Sequence, residues 1–363
     1  MGNGIHVAVA MSGGVDSSTT AALLVERGYD IVGLMMRMWA EEGLDALPNK
    51  CCSPAAVADA RGVCQRLDIP FYLLNVEDEF KTRVVDFFLD GYARGVTPNP
   101  CVECNRQIKF GTLLVKARAL GADFLATGHY ARIRQNDRGA YELCKGVDPN
   151  KDQAYALHRL DQAQLAHTLF PLGELTKGET RETARRFGLR VSEKKESQDL
   201  CFIADGNYHN FLRRNIPERL QPGPILDTAG RRLGTHDGLP FYTIGQRKGL
   251  KLAVGEPLYV IGLDSDRNAV IVGKANELGR SELTCRDFHW ISGSAPTEPL
   301  RVTVKIRYRS AEAPATATVL PSSTGEGTCV KVELDQPLRD ITPGQAVVLY
   351  QGDVCLGGGP IDR

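Results

Sequence analysis

The most constraining stretch of this chain is Ser12-Gly13-Gly14-Val15-Asp16-Ser17-Ser18, set between an apolar run, His6 to Met11, and the segment Thr19 to Arg27. That order predicts a strand, a tight glycine turn and a helix. Gly13 and Gly14 can take positive φ without a Cβ penalty, so successive backbone N–H groups can point into one concavity. Ser12, Ser17 and Ser18 add hydroxyl donors, and the following helix offers its unpaired N–H groups and positive dipole end to the same place. Two adjacent glycines also fit an ordinary serine-capped turn. This one, however, lies at the carboxyl end of a first strand, where open α/β sheets bind ligands. The stretch is therefore read as an anion cradle for phosphate. No Gly-Lys-Ser/Thr closes it, so it is not a Walker A loop.

From the start to about residue 130 strand-like and helix-like segments alternate. Strands are expected at His6–Met11, Asp30–Met36, Phe71–Val76 and Asp123–Thr127, and helices at Ser17–Arg27, Pro54–Leu67, Lys81–Tyr92 and Thr112–Leu120. Ser53-Pro54 is a helix start, with Ser as cap and Pro at the first helical position. Such alternation predicts a doubly wound parallel α/β sheet covered on both faces. Gly95 to Asn105 carries two prolines and no periodicity, and is read as a loop. A hairpin, Ala131–Arg134 with Tyr141–Lys145, and two helices, Asp161–Leu169 and Lys177–Phe187, are read as an appendage of the same domain, taken as 1–206.

After about 206 the pattern changes to one short helix, Tyr208–Asn215, and then Gly- and Pro-punctuated β-like runs, including Leu258–Leu263 paired with Ala269–Val272. This predicts a small β-rich central domain, 207–280. Arg301–Arg309, Ala315–Leu320, Cys329–Leu334 and Gln345–Leu349 then predict a C-terminal β-barrel, 281–363. A length of 363 residues agrees with two or three domains.

Lys+Arg and Asp+Glu both number 44, so net charge points to no nucleic acid and any such signal must be local. The first residues enter a strand without a basic-then-apolar leader, and no apolar run is long enough for a bilayer. The expectation is a cytoplasmic protein with no membrane contact. Ten cysteines are too sparse for a secreted disulfide framework. Cys51 and Cys52 are read as structural, since adjacent residues seldom point at one target.

Several residues could carry chemistry. A carboxylate beside a phosphate cradle, Asp16, either caps the helix or binds Mg²⁺, which commonly joins one or two carboxylates to substrate phosphates. Thr127-Gly128-His129-Tyr130 ends a later strand at the same sheet edge. There Gly128 would let adenine or ribose approach, and His129 either donates to phosphate or RNA or makes a structural hydrogen bond. Met36, at the end of the second strand, is either core or a surface for the nucleotide base. Cys101 and Cys104 form a CxxC, and Cys201 stands in a second motif-like stretch. One CxxC fits a redox pair, half a zinc site or coincidence. Three cysteines could hold an iron–sulfur cluster, or one thiol could carry a persulfide that another resolves.

SGGVDSS resembles the pyrophosphate-loop signature of the ATP pyrophosphatase group, which activates a carbonyl oxygen by adenylylation. With Asn99-Pro100-Cys101-Val102-Glu103-Cys104-Asn105, Ala126-Thr127-Gly128-His129-Tyr130, Lys151-Asp152-Gln153 and Ser197-Gln198-Asp199-Leu200-Cys201-Phe202 in this order, the chain resembles the bacterial tRNA-specific 2-thiouridylase family. Gly245-Gln246-Arg247-Lys248-Gly249, Arg307-Tyr308 and Pro343-Gly344-Gln345 also fit, so the resemblance covers nearly the whole chain. It implies an adenine nucleotide α-hydrolase-like fold and an ATP–Mg site of Ala10, Met11, Ser12, Gly13, Gly14, Val15, Asp16, Ser17, Met36 and Gly128. It makes Cys104 the nucleophile and Cys201 the persulfide carrier, the two closing a disulfide after transfer. Asn99, Pro100 and Cys101 would face the target uridine, and His129, Lys151, Asp152, Gln153, Arg307, Tyr308 and Gln345 would contact tRNA.

The implied reaction is adenylylation of C2 of the wobble uridine, position 34, followed by sulfur transfer to give 2-thiouridine. A sulfur-relay protein or cysteine desulfurase would donate the persulfide. Many family members carry Asp where this chain has Cys101, which keeps a 4Fe–4S cluster on Cys101, Cys104 and Cys201 open as an alternative. Another pyrophosphate-loop synthetase is the second. Independently of the resemblance, residues 209 to 251 hold eight Lys/Arg against three acids, a basic patch of the kind that binds a phosphate backbone. The period-2 pattern of Arg301–Arg309 is expected to bury Val302, Val304, Ile306 and Tyr308 and to leave Arg301, Lys305, Arg307 and Arg309 on the other face.

Overall fold

The computed structural model describes residues 4–41, 53–194, 200–252, 254–321 and 327–362. Cys51, Cys52 and Ser197 to Asp199 lie outside the described residues. The first apolar run forms β1 (His6–Met11), followed by α1 (Val15–Glu26), β2 (Asp30–Arg37), α2 (Pro54–Arg66), β3 (Phe71–Asn75) and β4 (Phe124–Ala126). β1 pairs in parallel with β2 and with β4, and β2 with β3. The doubly wound sheet is present, with β1 at its centre and the glycine loop at its carboxyl edge.

Four local expectations change. The chain from Pro100 onward is helical rather than loop, because Asn99 caps and Pro100 occupies the first helical position. Pro100–Glu103, Cys104–Leu113 and Leu114–Ala119 run on without a break. The expected helix Asp161–Leu169 is shorter, Gln162–Ala166 with a capping box on Asp161. The hairpin is present as β5 (Ala131–Gln135) and β6 (Tyr141–Lys145), and Thr168–Leu169 forms β7, a fifth parallel strand on β4. The hairpin is no private appendage of the first sheet: β6 pairs with Val354–Pro360, extending the C-terminal sheet.

The central sheet orders Tyr259–Asp264, Ala269–Gly273, Gly223–Asp227 and Arg232–His236. The C-terminal sheet curls around Leu283, Val302, Val304, Val330, Val332 and Leu349. Its strand Leu300–Lys305 is shorter than expected, so Ile306 is buried but Tyr308, in the following turn, is 38% exposed. Strand Ala346–Gln351 is buried on both faces, which is why its sequence is a continuous apolar run. Val347 and Leu349 fill the C-terminal core, while Ala346, Val348 and Tyr350 pack with Leu143, Tyr155 and Leu157 of the first part. A fully buried Val or Leu of this set contributes about 1.5–3 kcal/mol, so the C-terminal sheet is fixed to the first part of the chain.

Candidate active site

Gly13 takes φ +68°, and a Cβ there would lie 2.3 Å from Ala56 O, so no other residue fits this turn. Gly14 is the N-cap of α1 and supplies no side-chain bond, which leaves the first-turn N–H groups for an anion. Ser12 N–H donates to Ser17 Oγ (3.1 Å), and the two hydroxyls lie 3.1 Å apart. Ser18 is fully buried and donates to Gly14 O (2.8 Å), so its hydroxyl tightens the helix and does not line the cradle. Met11 and Val15 turn into the core behind the loop, which leaves their backbone as the part that faces a ligand. Gly128 closes against this turn: a Cβ would stand 2.9 Å from the backbone of Asp16 and Ser17.

Two lysines that the sequence did not flag complete this end. Lys177 Nζ donates to Asp16 Oδ1 (2.6 Å), which also accepts from Tyr130 OH (2.9 Å). Lys194 Nζ donates to Gly13 O (2.9 Å) and to Asp59 (2.7 Å). Lys177 opens a helix capped by Thr176 and Glu179, where a cation opposes the helix dipole. That mismatch was the available signal. Both hydrogen bonds to the Asp16 carboxylate fall on Oδ1, and its side chain is about a third exposed, so this hard oxygen donor would suit a divalent cation such as magnesium.

His129 is buried. Its Nε2 faces Lys109 Nζ (3.4 Å) and its Nδ1 faces Thr127 Oγ1 (2.7 Å). Burial, with Lys109 beside it, holds the imidazole well below its ordinary pKa. An ammonium only donates, so Nε2 accepts and Nδ1 carries the proton. The ring thus orients Lys109 rather than reaching outward as a cation.

The CxxC lies on the first turns of the helix that Asn99 caps through Val102 N–H (3.4 Å). Pro100 is buried, Cys101 is exposed and Cys104 is 8% exposed. Cys104 shares an apolar cluster with Phe80, Phe88, Phe202 and Ile203, against which half-buried Cys201, Leu200 and Met36 pack. Residues far apart in sequence are thereby brought together beside the second strand's end. Among the described residues no three His, Cys, Asp or Glu side chains converge as a metal ion would require. Cys101, Cys104 and Cys201 do not form a ligand set in this arrangement.

The expected RNA-facing residues divide. Asp152 is buried, its Oδ1 accepting from Gly146 and Ala154 N–H (3.1 Å each), and burial raises its carboxyl pKa. Gln153 Oε1 accepts from Tyr130 N–H (2.9 Å). Arg307 donates to Ile244 O and Thr342 Oγ1, and Gln345 to Thr97 O. These four hold the protein's own backbone and turns. Arg301 pairs with Asp335 and Lys305 lies 3.9 Å from Asp152, so the expected basic face is partly neutralised. Lys151 is half-buried and Tyr308 exposed, and all eight basic residues between 209 and 251 are exposed. Arg214, Arg231 and Lys251 of that set pair with Glu41, Asp227 and Asp237.

A parallel sheet with a glycine loop at its carboxyl edge, followed by two β domains, is the architecture of a nucleotide-binding α/β enzyme with β-rich accessory domains. Residues 5–205 match the tRNA methyl transferase HUP domain, 209–274 its PRC-barrel domain and 280–361 the aminomethyltransferase β-barrel domain. The chain is 54% identical over 357 residues to the tRNA-specific 2-thiouridylase MnmA of Moorella thermoacetica, covering 98% of each protein. It is 51% identical over 355 residues to that of Magnetococcus marinus, again 98% of each. The chain belongs to the tRNA-specific 2-thiouridylase family. Among solved structures, the U34-tRNA thiolase NcsA from Methanococcus maripaludis with its 4Fe–4S cluster aligns at TM-score 0.34 and 22% identity, over 60% of this chain and 68% of that one. A 4-thiouridine synthetase–RNA complex with bound ATP aligns at 0.35 and 20%, over 60% and 52%. Among the described residues no helix is long and apolar enough to cross a membrane.

Proposed function

We propose that this protein is a cytoplasmic tRNA 2-thiouridine synthase that adenylylates C2 of the wobble uridine and then delivers sulfur to it. The observation that carries the reading is the shared apolar cluster of Cys104, Cys201 and Met36 at the carboxyl end of β2, the parallel neighbour of the strand that leads into the glycine loop. ATP lies along Ala10 to Ser17, with Met36 against the base and Gly128 at the ribose side. Asp16 would hold magnesium, which neutralises charge on the departing pyrophosphate. The first-turn N–H groups of α1 receive the phosphates, with Lys177 and Lys194 supplying positive charge.

The C2 oxygen of the uridine, placed at Asn99 to Cys101, attacks the α-phosphorus and pyrophosphate leaves. The terminal sulfur of a Cys201 persulfide attacks C2. Cys104 thiolate takes the inner sulfur, closing a Cys104–Cys201 disulfide as AMP departs with the former C2 oxygen. A dithiol reductant reopens the disulfide by thiol–disulfide exchange, being oxidised to its own disulfide, and a sulfur-relay protein or cysteine desulfurase then reloads the persulfide on Cys201. Lys151, Tyr308 and the exposed Arg219, Arg247 and Lys248 of the central domain receive the tRNA backbone. His129, Asp152, Gln153 and Arg307 act by holding their neighbours. The three parts, 1–206, 207–280 and 281–363, thus divide activation and transfer from RNA binding.

The test supplies ATP, a persulfide donor and unmodified tRNA, and assays 2-thiouridine by mass spectrometry. Wild type is expected to form it and Cys201→Ser to form none. Absence of product from wild type, or full activity in the variant, overturns the reading. Anaerobic iron and sulfide analysis of protein purified without oxygen separates the persulfide route from a cluster route.

A further inference from the structure

The helix that carries Cys104 also carries a cation held beside the glycine loop. Lys109 is half-buried, and its Nζ lies 3.4 Å from His129 Nε2. The imidazole is itself buried, fixed at Nδ1 by Thr127 Oγ1 (2.7 Å) and flanked by the rings of Phe110 and Phe170, each with its centroid 5.9 Å away. Being neutral, it takes one of the three N–H groups of the ammonium and leaves two. Among the described residues no carboxylate pairs with Lys109. A half-buried ammonium bonded to an uncharged ring has given up hydration without gaining a counter-charge, which favours an anion beside it.

Two features say which anion. His129 follows Gly128, where a Cβ would stand 2.9 Å from Asp16 C and Ser17 N, so this segment abuts the first turn of α1. With the ribose at Gly128, the phosphate next to it is the α-phosphate, whereas Lys177 and Lys194 serve the far end of the cradle. Lys109 also follows Cys104 by five residues within a π segment, Cys104–Leu113, where N–H groups return to carbonyls five residues back, as Leu114 does to Lys109. An α-helix would turn residues five apart roughly 140° from one another; the π turn brings them nearly into line along the helix. The cation therefore stands between the loop and the thiols. Met36, which packs on both the Phe110–Phe170 cluster and the Cys104 cluster, marks the same boundary.

We propose that Lys109 is a catalytic residue of the activation step, its ammonium, held by His129, binding a non-bridging oxygen of the ATP α-phosphate. As the uridine C2 oxygen bonds to the α-phosphorus, the bond to the bridging oxygen breaks, its electron pair leaves with pyrophosphate and the N3 proton passes to water. Lys109 keeps its own proton throughout and offsets the charge that gathers on the non-bridging oxygens. His129 is the positioning residue. The inference rests on the reading of this site as one that adenylylates tRNA.

Its test follows single-turnover pyrophosphate release with unmodified tRNA, from ATP and from each diastereomer of ATPαS, in which sulfur replaces one non-bridging α-oxygen. Sulfur is the weaker acceptor, so in wild type one diastereomer should react at least about tenfold more slowly than ATP, the worth of one hydrogen bond to a charged group. Lys109→Met is expected to release pyrophosphate about 100-fold more slowly and to treat that diastereomer and ATP alike, within about twofold. His129→Phe, which keeps a ring but removes the acceptor, should lose about tenfold, and His129→Gln, whose carboxamide oxygen can still accept, about threefold. Wild-type rates in Lys109→Met overturn the inference. So does a slow variant that still discriminates as wild type does, since the residue then acts through structure alone. Should Lys109→Met melt far below wild type, Lys109→Gln decides by the same ratio. Absence of tRNA-dependent pyrophosphate release from wild type overturns the reading of the site and the inference with it, whereas failure of the variants alone overturns only the inference.

Discussion

The two ends of the active site are built by opposite means. The nucleotide end is largely local: within Ser12 to Thr20, glycines, hydroxyls and a helix start are spaced so that the serine and threonine hydroxyls find partners within five residues, while the charges of Lys177 and Lys194 come from afar. The sulfur end is assembled from afar, with bonds that reach from Thr97, two residues before the cysteine helix's cap, to Gln345 and from Tyr155 to Ala346, and with Phe202 and Ile203 packed around Cys104. Activation chemistry needs fixed dipoles around a charge that does not travel. Sulfur delivery needs thiols that meet a base only when the RNA is in place, which a long-range assembly can make conditional.

The contrast is broken most sharply at the thiols. Cys104→Ser and Cys201→Ser are each expected to lower 2-thiouridine formation by more than about 1000-fold, since a covalent step is removed outright. ATP-dependent pyrophosphate release should survive in both, and its loss would mean that the two ends are not separable. Gly13→Ala attacks the opposite end: with φ +68° and Ala56 O at 2.3 Å, the loop must shift. Pyrophosphate release should fall roughly 100-fold, while tRNA affinity in filter binding stays within twofold.

Acid sharpens the comparison. Burial holds His158 at a pKa of about 3, next to Gly358 of the barrel and bonded to Tyr155 O. The folded pKa is depressed, so its contribution is complete above the unfolded value of about 6.5 and is lost as pH falls toward 3. At pH 5 the unfolded chain binds the proton and the folded one does not, a loss of about 2 kcal/mol. Urea unfolding at pH 7.5 and pH 5 should show this fall, with a shallower dependence in His158→Asn. The smallest effect is expected from Lys177→Gln, a roughly tenfold rise in KM for ATP, about 1.4 kcal/mol, measured at saturating tRNA.

The same division decides how much could be read from the residues. Ser53-Pro54 announces α2, and the identical logic at Asn99-Pro100 announces the cysteine helix, but two prolines in a motif-rich stretch masked it. β7 is two residues long, too short for any periodicity, and exists because β4 offers it an edge. Tyr308 follows the alternation of its strand on paper, yet the chain turns after Lys305 and leaves it exposed. The cradle was legible because its bonds are local. Lys177, Lys194 and the bond from Gln345 to Thr97 were not, since each depends on a partner many residues away.

The hairpin carries one more consequence, in time rather than space. Strand β6 is completed by Val354–Pro360, and the bond from Lys145 to Gly352 spans 207 residues. At a synthesis rate of about 5–20 residues per second, the outer edge of β6 waits on the ribosome for roughly 10–40 s before its partner emerges. Throughout that interval it is an open ladder of N–H and C=O groups, the feature that invites wrong partners. The barrel is thus the lid that ends the vulnerability of a nascent catalytic domain, and a stalled or truncated chain is expected to aggregate through this edge.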